Sequence, residues 1–283
     1  MRNSEFFKTR KMGEGVTLIE GPGRVFCYLV EGEKKALLID TLCGIGNIAN
    51  YCKELTSLPI TVAVTHGHFD HAAGNFDFEE VFIAPKDVEL MYSMSTIEMR
   101  EEYVRSQQGR FNELMKWRPE DVTPVKAIRC LPIKEGDIFD LGGRVLQVVE
   151  TPGHTKGSVC FLDRGNRQMF AGDACNCNTI ICAFAMSTTV EEYLITLKKL
   201  KALQPLFDTF YISHGDNPID KSCIDDGIEC CMEIMAGTDD AVLGLFLNEY
   251  SCYHAKARDE FMHRLDGRIG NVVYEKDNIF IKK

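Results

Sequence analysis

Residues Thr65 to His71 read THGHFDH, three histidines and an aspartate within seven residues of a chain that holds only seven histidines. Neutral imidazoles and carboxylates are ligands that zinc accepts, and a catalytic zinc keeps one position open for water. Side chains two apart on an extended segment project to the same side, so His66 and His68 can grip one ion. A turn at Asp70 and His71 would aim the next pair at a second ion. Two such ions, about 3.5–4 Å apart, need an anion between them. A carboxylate from another strand would serve, and Asp173 is suited to it; a helix cap is the competing reading of that residue.

These residues share a context. The apolar run ITVAVT stops at His66, His68, Asp70 and His71. RVLQVVE stops at TPGHTKGS, which contains His154. RQMFAG stops at Asp173, and DTFYIS stops at His214. Five of the seven histidines thus follow strand-like runs, where loops of α/β proteins carry ligand sites. The other two, His254 and His263, are expected to be structural or surface residues. Asp40 ends the run KALLID and could hold the ligand loop through a hydrogen bond; a plain turn aspartate is the competing reading. Lys156 is expected to face solvent, and Cys175 and Cys177 to be small apolar fillers beside the Asp173 loop.

The positioning elements follow from periodicity. VTLIEG, VFCYLVEG and KALLIDT read as strands, GIGNIANYCKELT as a helix, and ITVAVTHG and VFIAP as strands. Residues 86–125 favour helix and lack a strand signal. They form a helical insertion in which Met91, Met94, Met99, Tyr103, Phe111, Met115 and Trp117 supply an apolar surface, either a lid over the substrate pocket, or a packing or dimer contact. Strand signals resume at AIRCLPI, GDIFDLGG, RVLQVVET, GSVCFLD and RQMFAGD. TVEEYLITLKKLKAL is an amphipathic helix with Thr188 or Thr189 as its cap. FDTFYISHGD is a strand. Residues 218–266 read as mostly helical, and NVVYEKDNIFI as a hairpin turning near Lys276–Asn278. Interleaved strands and helices argue one α/β domain over residues 1–283, with 218–283 as C-terminal helices and hairpin.

HGHFDH, followed by a later GH, GD and HGD, resembles the metallo-β-lactamase-fold superfamily, and most closely its glyoxalase II-like and lactonase-like hydrolases. The resemblance runs from about Val16 to Asp216. It implies an αββα sandwich, with His66, His68 and His154 on one metal, Asp70, His71 and His214 on the other, and Asp173 bridging. It further implies a metal-dependent hydrolase in which a dinuclear centre, most simply two Zn2+ with iron or manganese as alternatives, supplies hydroxide to cleave a small ester, thioester or lactone. Asp70 would also steer the proton. Asp173 argues against antibiotic hydrolysis, because β-lactamases of this fold lack the bridging aspartate. The acidic, apolar stretch GIECCMEIMAGTDDAVLGLFLNEY differs from the basic C-terminal region with which many glyoxalase II enzymes bind glutathione. A mononuclear-iron sulfur dioxygenase, a phosphodiesterase and a non-catalytic metal-binding protein are the alternatives.

Bulk composition narrows the partners. A net charge of −10 repels phosphate backbones, so a small-molecule substrate is expected and nucleic acid is not. No apolar run approaches the roughly 18 residues of a spanning helix, so no membrane partner is expected; a homo-oligomer is compatible. The N-terminal MRNSEFFKTRKMGEG has no apolar stretch of the export type. Twelve cysteines are then expected to be reduced thiols in the cytoplasm.

Overall fold

The computed structural model describes residues 3–13, 15–111, 116–181, 186–246, 250–260 and 262–282. The chain divides into two compact units, Met1–Val148 and Val149–Lys283.

The first unit opens with a helical turn, α1 (Asn3–Phe6), and then β1 (Lys8–Gly13), β2 (Val16–Glu20), β3 (Phe26–Glu31) and β4 (Ala36–Ile39). Helix α2 (Ile48–Leu55), β5 (Ile60–Ala63), the short α3 (Phe69–Ala72) and β6 (Glu80–Ile83) follow. Next come α4 (Val88–Met94), α5 (Ile97–Phe111), β7 (Arg129–Pro132), β8 (Ile138–Asp140) and β9 (Val145–Glu150), whose last residues enter the second unit. Strands β1 to β7 form one sheet in chain order. β1 to β4 pair antiparallel, and β4 to β7 pair parallel. β3 and β4 are apolar and buried almost throughout, as expected where a sheet is covered on both faces. β1 has no apolar alternation and an almost wholly exposed pattern, so its sequence carries no strand signal. It forms because β2 offers an edge, with Lys8 opposite Glu20 and Lys11 opposite Thr17.

Helices α4 and α5 lie in the segment 86–125. Met91 and Met94 are buried, whereas Met99 is exposed. Arg100 of α5 is wholly buried and donates to the carbonyls of Gly44 and Thr123, at 3.3 and 2.8 Å. The Phe111 side chain and Met115 lie outside the described residues.

The second unit contains β10 (Val159–Asp163), β11 (Gln168–Phe170), β12 (Thr179–Ile181), α6 (Val190–Leu203), β13 (Thr209–Tyr211), α7 (Cys223–Ala236), β14 (Val242–Phe246), β15 (Tyr250–His254) and β16 (Val272–Tyr274). β10 pairs antiparallel with β11, and β11 pairs parallel with β13. Thr189 caps α6 reciprocally with Glu192, as its Ser/Thr-x-x-Glu pattern predicts. Helices α6 and α7 enclose a core of Tyr193, Leu197, Phe207, Phe210, Ile224 and Cys231.

The C-terminal region holds the expected helix α7, but its β14 and β15 are strands, not helix. They belong to a sheet ordered β12-β16-β15-β14. VLGLF is too short a run to separate helix from strand by period; pairing with Tyr250–His254 decides it. The expected terminal hairpin also changes. Lys276–Asn278 does turn, but the described chain beyond it forms no strand. It docks on the start of α6, where Glu191 N–H donates to the Ile279 carbonyl and Ile281 N–H to the Glu191 carboxylate. The eleven described cysteines are all free thiols. Among the described residues, no helix is long and apolar enough to cross a membrane.

Asp77 ties three segments of the first unit together. Its carboxylate accepts from Ile48 N–H, from the Asn47 side-chain amide and from the Thr123 hydroxyl. Burial nevertheless pushes its carboxyl up to about 6. Between about pH 4, the unfolded value, and about 6, the folded chain therefore holds the extra proton. Stability from this group is full below that window and is lost as pH rises through it, by up to about 3 kcal/mol. Asp77→Asn should remove this component. The wild-type minus variant difference in unfolding free energy, from urea titrations at several pH values, should fall across the window; a flat difference would contradict it.

Candidate metal centre

In the first unit, β4 and β5 are parallel neighbours with Ile39 opposite Ala63. Their ends therefore emerge side by side, Asp40 from one and Thr65 and His66 from the other. Asp40 turns back with φ 65°, a left-handed conformation that aspartate tolerates better than most residues. Its Oδ1 accepts from Thr65 N–H at 2.6 Å, and its Oδ2 accepts from the Thr65 hydroxyl and from His71 Nδ1–H, each at 2.9 Å. The Thr65 oxygen in turn accepts from His66 Nδ1–H at 3.0 Å. One buried carboxylate thus orients two imidazoles through their Nδ1 atoms and turns Nε2 of each away from it.

The Nε2 side of these rings meets the other candidates. His66 Nε2 lies 3.1 Å from His68 Nδ1. Asp70 and His71 sit in the helical turn α3, where His71 Nε2 is 3.7 Å from Asp70 Oδ2. His66 also brings a ring nitrogen within 4.8 Å of one on His71. His66, His68 and His71 are buried, and Asp70 is half-buried.

The second unit assembles its three candidates by the same device. β11 and β13 are parallel with Phe170 opposite Tyr211, so Asp173 and His214 each lie three residues past a paired position. Ser213 N–H donates to the Gly172 carbonyl and joins the two loops. Asp173 Oδ2 lies 3.2 Å from His214 Nε2 and 3.6 Å from His154 Nε2. His154 Nδ1–H donates to the Ile180 carbonyl at 2.8 Å, which turns its Nε2 towards that carboxylate. The TPGHTKGS loop carrying His154 is closed by Ser158, whose hydroxyl oxygen accepts from Thr155 N–H and whose carbonyl accepts from Thr151 N–H.

Each unit thus sets an imidazole nitrogen close to a carboxylate oxygen, His71 with Asp70 and His154 with Asp173. Both are atoms that a divalent cation accepts as ligands. The spacings fit one: two ligand atoms of a tetrahedral zinc at about 2.0–2.1 Å are about 3.3 Å apart. The His66–His68 and Asp173–His214 distances of 3.1 and 3.2 Å match that edge. The donor set, all nitrogen and oxygen, suits zinc and admits iron or manganese.

The remaining sequence candidates fall elsewhere. His254 is buried on β15 with its Nε2 against Arg258, and His263 is exposed beside Asp259. Lys156 is exposed, Cys175 is buried and Cys177 is half-buried. Sequence reasoning assigned no role to Thr65, although it begins the motif, nor to Asp87, whose place just before a helix reads as a cap.

A family model described as the metallo-beta-lactamase superfamily matches residues 21–206. An acyl-coenzyme A thioesterase, MBLAC2, from Gallus gallus is 28% identical over 215 residues, spanning 70% of this chain and 76% of that protein. A probable polyketide biosynthesis zinc-dependent hydrolase, BaeB, from Bacillus velezensis is 22% identical, over 68% of this chain and 75% of its own. Among solved structures, a metallo-beta-lactamase from Pontibacter korlensis superposes with a TM-score of 0.58 at 15% identity, covering 79% of this chain and 97% of its own.

The Asp40 geometry yields a direct test. Asparagine keeps the left-handed backbone but replaces one acceptor oxygen by a donor, which opposes either Thr65 or His71. Asp40→Asn should stay folded by circular dichroism and lose about ten- to hundredfold in zinc affinity, read by competition with a chromophoric chelator. Unchanged affinity would count against the hydrogen-bond chain.

Proposed function

The chain belongs to the metallo-β-lactamase superfamily and is a metal-dependent hydrolase of it, and from that premise we propose that it hydrolyses an acyl thioester at a dinuclear centre. His66, His68 and His154 would hold one divalent ion, Asp70, His71 and His214 the other, and Asp173 would bridge them. Zinc is the ion we assign. The observation that carries this reading is the clustering of imidazole nitrogens with a carboxylate in each unit, His66, His68 and His71 with Asp70 and His154 and His214 with Asp173. The thioester class is supported by the relatives, which include acyl-coenzyme A thioesterases and a fungal thioesterase acting on an acyl-carrier-protein substrate.

When bound, the ions supply a Lewis acid and lower the pKa of a bound water to about 7. The chain's own residues do the rest. Asp40 and the Ile180 carbonyl hold the Nδ1 protons of His71 and His154, so both rings keep one tautomer through turnover. Asp70, half-buried beside His71, can accept a proton at its carboxylate and return it to the leaving thiolate. Asp173 keeps negative charge between His154 and His214, which limits the positive charge of the centre. No side-chain nucleophile is required.

Metal analysis should find about two divalent ions per chain. Chelation should abolish hydrolysis of a short-chain acyl-coenzyme A, and added zinc should restore it. Asp70→Asn should lower kcat by about 10²–10⁴ with KM little changed, the scale of a lost proton-transfer group. One iron per chain with oxygen consumption on a persulfide would overturn the proposal in favour of a dioxygenase.

A further inference from the structure

Asp87 precedes α4 at the position where an aspartate commonly bonds the first amides of its own helix. Among the described residues, no side-chain hydrogen bond caps α4. Asp87 Oδ2 accepts instead from the backbone N–H of Gly67, at 2.9 Å and twenty residues earlier. Gly67 is the residue between His66 and His68. The carboxylate is buried, so this charge-assisted bond is poorly screened.

Glycine at 67 is required by close approach. A Cβ there would lie 2.4 Å from the Asp87 carbonyl oxygen and 3.2 Å from the Met91 amide nitrogen. Glycine also gives the peptide linking the two histidines more freedom than any other residue would. That peptide sets the angle at which the two rings diverge, and hence whether their nitrogens meet. The Asp87 bond removes the freedom that the packing of α4 makes necessary. A second tie lies beyond the motif: the Asn75 amide donates to Met91 Sδ at 3.1 Å, and the Thr41 hydroxyl donates to Asn75 Oδ1 at 2.9 Å. Thr41 N–H donates to the His71 carbonyl at 2.7 Å. Helix α4 therefore grips the ligand loop on both sides of α3.

We infer that Asp87 is a positioning residue of the metal centre, and that α4 is a structural arm of that centre. The inference rests on the metal-centre reading above and adds a residue which that reading does not use. The probe is cobalt(II), added to the metal-stripped chain of 283 residues. Visible absorption reports ligand geometry, and competition with a chelator reports affinity. Asp87→Ala and the volume-filling Asp87→Leu remove the acceptor; Asp87→Asn keeps an acceptor oxygen. Folded Ala or Leu variants should bind cobalt about ten- to hundredfold more weakly and with a shifted spectrum, while the Asn variant keeps the wild-type spectrum. If neither Ala nor Leu folds, the Asn variant decides: a wild-type spectrum supports the inference and an altered one overturns it. A folded Ala or Leu variant with wild-type affinity and spectrum overturns it as well. A wild-type chain that takes up no cobalt overturns the metal reading, and this inference with it.

Discussion

Imidazole nitrogens held close to carboxylate oxygens are the constraint on which the candidate site is organised. His71 lies 3.7 Å from Asp70 and His154 3.6 Å from Asp173, atoms of the kind that divalent cations accept. Gathering such polar groups in a largely buried place requires that each be oriented by the structure around it. Strand ends bring them close, and a ring of buried acceptors keeps their protons turned away.

The groups around the candidate ligands are as specific as the candidates themselves. Asp40 serves Thr65 and His71 together, and Thr65 passes the constraint on to His66. The Ile180 carbonyl does for His154 what Asp40 does for His71. Asp87 fixes the flexible peptide between His66 and His68. The orientation of the candidate ligands is thus set by groups other than those ligands themselves, as it is in metal sites generally.

Some elements were legible because they are local. The β2, β3 and β4 runs, helix α2 and the Thr189 cap of α6 follow from apolar periodicity and a four-residue capping pattern. Others depend on partners distant in the chain. β1 carries four consecutive exposed residues and becomes a strand only beside β2. Residues 242–246 could have been helical on composition, and they are extended because they pair with Tyr250–His254. Gly244 admits that pairing: the His254 ring lies over it, and a Cβ there would come 2.7 Å from Nε2.

The sequence by itself determined the chemistry. Which residues could be ligands, that they follow strands, and that four of them share one short loop are properties of residue type and spacing, and local propensity is enough to read them. Tertiary structure decided which nitrogen of His66, His71 and His154 is held by a neighbouring oxygen, and which carboxylate holds which loop. Asp40 reaches His71 across 31 positions, and Asp87 reaches Gly67 across 20. Such partners are chosen by strand register and helix packing, which act between segments far apart in the chain and leave no periodic trace in either one.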